Sequence, residues 1–286
     1  MSMASWRSLL FVPADARERL ARAHLRGADG LIIDLEDGVG PAGKGAARAD
    51  LPAVIGELRD KPVDVLARIN LEWRGALTDL DAAMAPGLSS VMVPKAEDPG
   101  RLHVLSQMMT KFEIDRGLQA GGIGLVALVE SPLGLAQAAA LAAVPRVAAL
   151  ALGTEDFSLA LGVAPTAEVL DLPCRQLALA AATRGLQCLA MPMSIAQWRD
   201  LEGFAAAADR AFALGCTGAL CVHPSQVDVV NGRFETPDST LSAARRVLAA
   251  WEGAQANGSA VVQIDGVMID RPVAERARRL LQRGVQ

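Results

Sequence analysis

The chain has 286 residues, of which 51% are hydrophobic and 21% are charged. At roughly 150 residues per domain, this length predicts about two domains or one large α/β barrel, and the composition excludes a disordered chain. Lys and Arg number 28 against 32 Asp and Glu, a net charge of −4, which argues against a general surface for nucleic acid or anionic membranes. An anionic substrate therefore requires a local cationic pocket.

Neither a membrane span nor an export signal is expected from the sequence. The longest uncharged stretch, 211–227, is interrupted by glycine and proline, so no segment offers the roughly 20 apolar residues that cross a bilayer. Residues 1–7 lack a basic segment followed by a long apolar stretch. The cysteines lack metal-binding spacing, which predicts reduced core thiols and a cytoplasmic protein. They are Cys174, Cys188, Cys216 and Cys221.

Eight short apolar runs recur along the chain with helical stretches between them. One run occurs about every 27 residues, which is close to what one strand, one helix and two loops require in a barrel. The runs are almost continuously apolar, as in parallel strands that are covered on both faces. The pattern predicts an α/β fold, a TIM (β/α)₈ barrel over residues 1–235. The runs are 8–12, 30–34, 64–68, 89–93, 124–129, 147–152, 187–190 and 218–222.

Helix boundary signals lie between these runs. A helix is predicted over 15–25 and ends at Gly27, a second begins at Pro99 with Asp98 as its N-cap, and a third covers 195–214. Each fits the length of a barrel helix.

Residues 236–286 do not fit the barrel repeat. Their pattern predicts a helix, a turn, a β-hairpin around Asp265-Gly266 and a last helix. This tail exceeds what a barrel needs, so we expect a C-terminal extension that caps the barrel or reaches a neighbouring subunit. The predicted elements are the helix 238–256, the strands 261–264 and 267–269, and the helix 272–282.

Polar side chains follow most of the predicted strands, at the ends where the active site of such a barrel lies. Glu130 and Asp156 follow adjacent strands, so their carboxylates converge and suit magnesium, with waters and substrate oxygens as the remaining ligands. No histidine accompanies them, which argues against zinc. The alternative is that each carboxylate caps a helix or pairs with an arginine.

Arg68 ends the third predicted strand, and its planar guanidinium suits a substrate carboxylate or enolate oxygen. The alternative is a salt bridge to Glu36, Asp37 or Glu130, and both roles are compatible in one site. Glu36 and Asp37 are expected to support neighbouring groups rather than to act as bases.

Other polar groups near the strand ends carry weaker signals. Lys44 is placed with the supporting residues, although an isolated lysine, like Lys95, is usually solvated. Backbone N–H groups of the segment Gly153, Thr154 and Glu155 would offset charge on bound substrate oxygens. His223 is interpreted as a structural histidine.

Several motifs occur in order along nearly the whole chain, and in them the sequence resembles the citrate lyase beta subunit-like group of the HpcH/HpaI aldolase superfamily. No single motif is specific, but the ordered set is. The motifs are Arg7-Ser8-Leu9-Leu10-Phe11-Val12-Pro13, Asp34-Leu35-Glu36-Asp37-Gly38-Val39 with Lys44, Arg68-Ile69-Asn70, Val93-Pro94-Lys95, Glu130-Ser131-Pro132, Gly153-Thr154-Glu155-Asp156, His223-Pro224-Ser225-Gln226, and Asp265-Gly266 with Met268-Ile269-Asp270.

The resemblance implies a TIM barrel with a C-terminal extension, assembled as a homo-oligomer, expected to be a homotrimer. It implies Glu130 and Asp156 as magnesium ligands, with manganese as a substitute. It further implies that Arg68 binds the 2-keto acid portion and that Asp270 reaches a neighbouring subunit's site. The seventh strand departs from the pattern, because Met191-Pro192-Met193 stands where relatives commonly carry an Ile-Asp pair, and this leaves the acyl group undefined.

We therefore expect a magnesium-dependent carbon–carbon lyase that acts on a coenzyme A thioester such as malyl-CoA or citramalyl-CoA, with Asp270 as the candidate base. One alternative is the beta subunit of a citrate lyase complex, which acts on a citryl thioester of an acyl carrier protein. Another is a malate synthase-like condensation of acetyl-CoA with glyoxylate. A non-catalytic barrel has no reason to place two carboxylates and an arginine at one rim.

Overall fold

The computed structural model describes residues 5–284. The chain forms two compact units, of which the first ends at Phe234 and the second begins at Glu235. In the first unit, eight parallel strands pair in chain order from β1 to β7, and β8 pairs with β1. A single parallel bridge, Leu189 to Gly218, links the edges of β7 and β8. The predicted (β/α)₈ barrel is confirmed. The strands are β1 Ser8–Pro13, β2 Gly30–Asp34, β3 Asp64–Arg68, β4 Leu88–Val93, β5 Gly124–Val129, β6 Val147–Leu152, β7 Gln187–Leu189 and β8 Ala219–Cys221.

Helices surround the barrel and cover its outer face. Asp98 caps α4 by accepting a hydrogen bond from the N–H of Gly100, as predicted. The helix predicted over 15–25 is divided into α1 and a 3₁₀ turn, His24–Arg26, and Gly27 ends it with a φ of 74°. The helices are α1 Arg17–Ala23, α2 Lys44–Leu58, α3 Trp73–Ala83, α4 Pro99–Asp115, α5 Pro132–Ala136, α6 Ala138–Ala142, α7 Thr154–Leu161, α8 Ala167–Ala182, α9 Leu201–Leu214 and α10 Pro224–Phe234.

The helix predicted over 195–214 starts too early, because α9 begins only at Leu201. The Asp200 carboxylate accepts a hydrogen bond from the N–H of Gly203 at 2.9 Å and caps the helix there. In the segment before α9, the Ile195 carbonyl accepts a hydrogen bond from the Gln226 side-chain amide at 2.9 Å. That bond holds the segment before α9 in an irregular conformation at the rim of the barrel.

Side chains alternate along each strand between two hydrophobic cores. Leu31 and Ile33 belong to the core between barrel and helices, whereas Ile32 and Leu66 belong to the smaller core inside the barrel. Because strand side chains have a period of two, Asp34 and Arg68 continue the interior series to the carboxyl end of their strands. The strand pattern therefore delivers these polar groups to the rim.

At the opposite end of the barrel, before β5 and β6 begin, a buried ion pair joins Glu113 to Arg146. Both guanidinium Nη atoms lie 2.9 Å from the Glu113 carboxylate. The same carboxylate accepts the backbone N–H groups of Gly121 and Ile123, and Arg146 also donates to the Thr110 hydroxyl. These three neighbours hold the pair in place.

The second unit contains two helices and a hairpin. The turn residues Asp265 and Gly266 both have positive φ, 50° and 79°, which matches the type I′ turn expected for this pair. Helix α12 packs against α11, and the Asp270 carboxylate accepts the N–H of Val273 at 3.1 Å, in the first turn of α12. The elements are α11 Asp238–Ala256, β9 Val262–Ile264, β10 Val267–Ile269 and α12 Arg271–Gly284.

Within residues 5–284, none of the helices has the length and apolar character that a membrane crossing demands. All four cysteines are buried free thiols, as predicted.

Candidate active site

The carboxyl ends of the barrel strands surround a cavity of about 220 Å³, here named the rim cavity. Several strands present cationic, acidic or apolar side chains to it. Among the described residues, Arg68 from β3 is the one cation of its lining, and apolar side chains come from β1, β5 and β8. Acidic residues dominate the polar part of the lining, and they are Asp34, Asp37, Glu130, Glu155 and Asp156.

Arg68 is held by a bidentate ion pair with Asp34. Its Nε donates to one carboxylate oxygen at 2.7 Å and its Nη2 to the other at 2.6 Å. The guanidinium also lies over the Phe11 ring, 4.9 Å from the centroid. Both partners are buried, so the fork keeps one orientation. The Asp34 carboxylate in turn accepts the backbone N–H groups of Glu36 and Gly38, which fix the loop after β2.

Glu36 lies buried between the two cations of the site. Its Oε1 accepts a hydrogen bond from Lys95 Nζ at 2.9 Å, and its Oε2 lies 3.1 Å from Arg68 Nη1. The second contact lacks hydrogen-bond geometry, so Oε2 has no hydrogen-bond partner among the described residues. Burial raises the pKa of Glu36 above its usual value. Asp37 is more exposed, with its carboxylate 4.0 Å from Arg68.

Glu130 follows β5 and is only 6% exposed. One of its carboxylate oxygens accepts the backbone N–H of Lys95 at 2.7 Å. The other lies against Gly153, where an added Cβ would come within 2.6 Å of it. Burial raises the pKa of Glu130 to about 7, and the Lys95 N–H only partly offsets this. The site thus contains a buried carboxylate whose negative charge a bound cation would stabilise.

Asp156 lies in the first turn of α7, which follows β6. Its carboxylate lines the rim cavity with that of Glu130 and lies 3.7 Å from Lys95 Nζ. No side chain caps the N-terminus of helix α7. Its first backbone N–H groups, beginning at Thr154, therefore have no side-chain hydrogen-bond partner at the rim cavity. Carboxylate oxygens are the ligands of a hard divalent cation.

The donor set fits magnesium. Two carboxylates converge here, and within residues 5–284 no group of three or more His, Cys, Asp or Glu side chains forms a ready metal cage. Magnesium usually keeps several waters and takes only one or two carboxylates. Glu130 and Asp156 are therefore a sufficient protein share.

Lys95 is a site residue that the sequence analysis left as a solvated lysine. Its ammonium contacts Glu36 and Asp156, and its backbone N–H contacts Glu130. Its backbone φ is 47°, in the left-handed region that residues other than glycine rarely adopt. Such strain is retained where neighbouring contacts over-determine it. The signal in the sequence was its place directly after a strand, in Pro94-Lys95.

Of the remaining predicted site residues, three line the rim cavity and Lys44 does not. Gly153, Thr154 and Glu155 line the rim cavity, and the Glu155 carboxylate also accepts a hydrogen bond from the Ser194 hydroxyl at 2.6 Å. Lys44 instead donates to the side-chain oxygen of Asn70. It is not among the residues that line the rim cavity.

A larger cavity of about 950 Å³, here named the α1 cavity, lies between α1 and the ends of β1 and β8. It shares Phe11, Asp34 and Val222 with the rim cavity. Three exposed arginines, Arg19, Arg22 and Arg26, line it at a helical spacing of three and four. None of the three forms an ion pair within the described part of the chain. The sequence analysis missed this cationic pocket.

His223 lines the α1 cavity and is a packed residue, as interpreted. Its ring stacks on Trp198 with centroids 4.1 Å apart, and its Nδ1 is 2.8 Å from the Ser225 hydroxyl.

Comparisons with known proteins identify the family of this chain. The family model described as HpcH/HpaI aldolase/citrate lyase matches residues 7–224. The chain belongs to the HpcH/HpaI aldolase/citrate lyase family. It is therefore a carbon–carbon lyase, and the resemblance drawn from the motifs is confirmed. The matched segment includes Arg68, Glu130 and Asp156.

Two relatives and one solved structure illustrate the similarity. Citrate lyase subunit beta of Haemophilus influenzae is 29% identical over 279 residues, which cover 97% of this chain and 96% of that protein. L-malyl-CoA/beta-methylmalyl-CoA lyase of Cereibacter sphaeroides is 28% identical over 286 residues, covering 92% and 90%. The crystal structure of protein CitE from Mycobacterium tuberculosis in complex with magnesium, acetoacetate and coenzyme A is 31% identical, with a TM-score of 0.74, and covers 99% of this chain and 100% of that one.

Proposed function

We propose that the protein is a magnesium-dependent lyase that cleaves or forms a carbon–carbon bond in a 3-hydroxyacyl-CoA thioester of the malyl-CoA or citramalyl-CoA type. The observation that carries the proposal is the rim cavity, where Glu130, Asp156 and the fixed fork of Arg68 share one lining. Family membership supports the reaction class, and the relatives support a thioester substrate.

Glu130 and Asp156 would hold the magnesium ion. When bound, magnesium supplies Lewis-acid polarisation and a template for the carbonyl and carboxylate oxygens of a 2-keto acid. Glu130 is buried and Asp156 is half-buried. Glu130 would therefore be a fixed metal ligand, and Asp156 would be a ligand that solvent reaches.

Arg68 and α7 would bind the anionic oxygens. Arg68 keeps N–H donors beyond the two that it gives to Asp34, and these suit one substrate carboxylate. The uncapped first turn of α7 offers backbone N–H groups to developing negative charge.

In the cleavage direction the 3-hydroxyl loses its proton to a base while the carbon–carbon bond breaks. The hydroxyl carbon becomes the carbonyl of the 2-keto acid, and the electron pair passes to the acyl carbon, which takes a proton to give the acyl-CoA. We assign the base to Asp270 of a neighbouring subunit in a homotrimer. The Asp270 carboxylate accepts a hydrogen bond from the Val273 N–H, and it forms no ion pair with another described residue.

The α1 cavity would take the nucleotide end of coenzyme A. Arg19, Arg22 and Arg26 supply unpaired positive charge for its phosphates. The cavity adjoins the rim cavity through Phe11, so a thioester could extend from one to the other. The buried free thiols support a reducing compartment, and we place the reaction in the cytoplasm.

The α1 cavity can be tested with paired variants. Arg22→Ala with Arg26→Ala should raise KM for a CoA thioester about tenfold and leave kcat nearly unchanged. Arg17→Ala is the matched control, because Arg17 pairs with Glu57 and does not line the cavity. Equal KM values in the two proteins would remove the arginines from the binding site.

The function itself is tested with the purified protein. Malyl-CoA, citramalyl-CoA and citryl-CoA, each as both enantiomers where they exist, are incubated with magnesium, and the 2-keto acid is measured. We expect cleavage of at least one free CoA thioester. Turnover only of a citryl thioester on acyl carrier protein, within a complex, would establish the citrate lyase subunit instead. Net condensation of acetyl-CoA with glyoxylate and thioester hydrolysis would establish the malate synthase-like reaction.

Subunit mixing tests the role of Asp270. Homo-oligomers of Asp270→Ala and of Asp156→Ala should each be inactive. Co-refolded mixtures should regain activity at sites that pair an intact Asp156 with an intact Asp270 from the neighbour. An active Asp270→Ala homo-oligomer would remove the base assignment, and inactive single variants with no recovery in verified mixtures would place Asp270 within its own chain's site.

A further inference from the structure

Lys95 contacts both of the residues proposed to hold magnesium. Its backbone N–H donates to a Glu130 carboxylate oxygen at 2.7 Å, and its ammonium lies 3.7 Å from Asp156 Oδ2. Its left-handed backbone is a conformation that persists only where the surrounding contacts over-determine it. One residue directly after β4 therefore links the two carboxylates of the site.

The two ion pairs of the Lys95 ammonium are unequal. Glu36 accepts a hydrogen bond from it at 2.9 Å, and the Glu36 side chain is only 7% exposed. The contact with Asp156 is longer than a hydrogen bond, and the Asp156 side chain is 34% exposed. Water screens this second pair more than the first. The ammonium can therefore give up Asp156 at little cost, while Glu36 keeps it in place.

Magnesium and the ammonium would compete for the negative charge of Asp156. Two cations that share one carboxylate lie only a few ångströms apart, and at that distance like charges repel strongly even near a protein surface. A lysine suits such an exchange, because its ammonium is a compact charge on a flexible stem, whereas an arginine would hold the carboxylate with a rigid fork.

We propose that the Lys95 ammonium is a placeholder cation: it balances the charge of Asp156 when magnesium is absent and yields this carboxylate when the ion binds. Glu36 is its anchor in both states. This inference rests on the metal site of the proposed function and adds a control of the magnesium affinity. Lys95 is thus a positioning residue, which keeps two like-charged carboxylates together at one cavity and weakens the binding of magnesium in return.

Calorimetric titration of magnesium into Lys95→Met tests the proposal. Methionine removes the charge and keeps the backbone N–H that Glu130 accepts. The dissociation constant for magnesium should fall at least about fivefold, because the competing cation is gone. Lys111→Met, which removes an exposed lysine paired with Asp115, is the matched control and should leave the constant unchanged.

The direction of the change separates a placeholder from a structural lysine. Loss of a residue that only stabilises the site would weaken magnesium binding or leave it unchanged, so either result in folded Lys95→Met would overturn the proposal. Lys95→Arg keeps the charge and should bind magnesium no more tightly than the unchanged protein. Tighter binding in Lys95→Arg would show that charge is not the cause and would also overturn it.

Urea unfolding gives a second readout that needs no turnover. A protein that binds magnesium more tightly gains more stability from it at a fixed concentration. Lys95→Met should therefore be less stable than the unchanged protein in EDTA and should regain part of this loss in excess magnesium. A loss of equal size in both conditions would contradict the placeholder.

A second pair of variants keeps the proposal testable if Lys95→Met fails to fold. That variant leaves the buried Glu36 charge with one cation fewer, and removal of both partners costs less than removal of one. The double variant Lys95→Met with Glu36→Gln is therefore compared with Glu36→Gln alone. It should bind magnesium at least about fivefold more tightly, and equal affinities would overturn the proposal.

These measurements separate failure of the placeholder from failure of the lyase function. Tighter magnesium binding in Lys95→Met supports the placeholder even if no thioester is cleaved. Thioester cleavage by the unchanged protein, combined with unchanged or weaker magnesium binding in Lys95→Met, would overturn the placeholder and leave the lyase function intact. Absence of magnesium binding in the unchanged protein would overturn the metal site and the placeholder with it.

Discussion

Two buried glutamates, one at each end of the barrel, have opposite electrostatic environments. Burial alone would raise the pKa of Glu113, but hydrogen bonds from Arg146, Ile123 and Gly121 outweigh it and hold the pKa below its usual value. Burial also raises the pKa of Glu130, and here the Lys95 N–H and the Arg68 charge oppose it only in part, so the pKa reaches about 7. One carboxylate is fully paired, and the other is buried with its pairing incomplete.

The difference separates a structural carboxylate from one that serves chemistry. A buried charge that its own chain satisfies stabilises the fold and has nothing left to bind. A buried charge with incomplete pairing costs stability and gains it back when a cation arrives. In a (β/α)₈ barrel the two kinds are expected at opposite rims, because active sites lie at the carboxyl ends of the strands.

Removal of the second carboxylate at the catalytic rim should have the largest effect. Asp156→Ala should lower kcat/KM at least about 1000-fold, because one of the two proposed protein ligands of the metal is lost. Calorimetry should show a matching loss of magnesium affinity, and EDTA should abolish the activity of the unchanged protein until magnesium is restored. Asp209→Ala, which breaks an exposed pair with Arg233, is the control. Undiminished turnover in chelated protein or in Asp156→Ala would contradict the metal assignment.

At the opposite rim the loss should appear in stability. Arg146→Met leaves the Glu113 charge buried and should lower the free energy of unfolding in urea by about 3 kcal/mol. The folded fraction should keep its kcat, because the pair lies at the end of the barrel opposite the rim cavity. Arg233→Met, in an exposed pair, should change stability by less than about 1 kcal/mol. A fall in kcat without a loss of stability would break the distinction between the two rims.

Arg68→Lys tests whether geometry or charge matters at the catalytic rim. Lysine keeps the positive charge but cannot make the bidentate contact with Asp34, so kcat/KM should fall about 100-fold with the fold intact. Circular dichroism checks the fold, and added guanidinium should partly rescue Arg68→Ala. Near-normal kinetics in Arg68→Lys would make the residue structural.

Glu130→Gln should alter how stability depends on pH when magnesium is removed by EDTA. A carboxyl pKa raised from 4.5 to about 7 means that the folded state binds more protons between these values, so stability falls as pH rises through them. Between pH 4.5 and pH 8 the unchanged protein should lose about 3 kcal/mol more than Glu130→Gln. Urea unfolding at both pH values measures this. Parallel curves would show that Glu130 is not titrating in the folded protein.

Much of the barrel follows from local sequence, because the strands are largely apolar runs and polar residues follow most of them. The bounds of β2, β3, β5 and β6 agree with their predictions. Arg68 could be placed at the rim for the same reason, since it comes directly after such a run. The period of two along a strand then fixes which side chains face inward.

The parts that escaped prediction depend on contacts between distant residues. Lys95 enters the site through a left-handed backbone and a partner, Glu36, that lies 59 residues away. The segment before α9 has a helical pattern, but the Gln226 amide binds the Ile195 carbonyl across 31 residues. The α1 arginines have an ordinary surface spacing, and only the fold shows that they line a cavity.

Gly153 gives the family a diagnostic that needs no assay. Because its missing side chain makes room for the Glu130 carboxylate, any side chain there must displace the very group assigned to the metal. A paralogue that keeps Glu130 and Asp156 but carries alanine or a larger residue in place of Gly153 should therefore have lost turnover while retaining the barrel. Such sequences would be recognisable as degenerate copies that were freed from selection for catalysis.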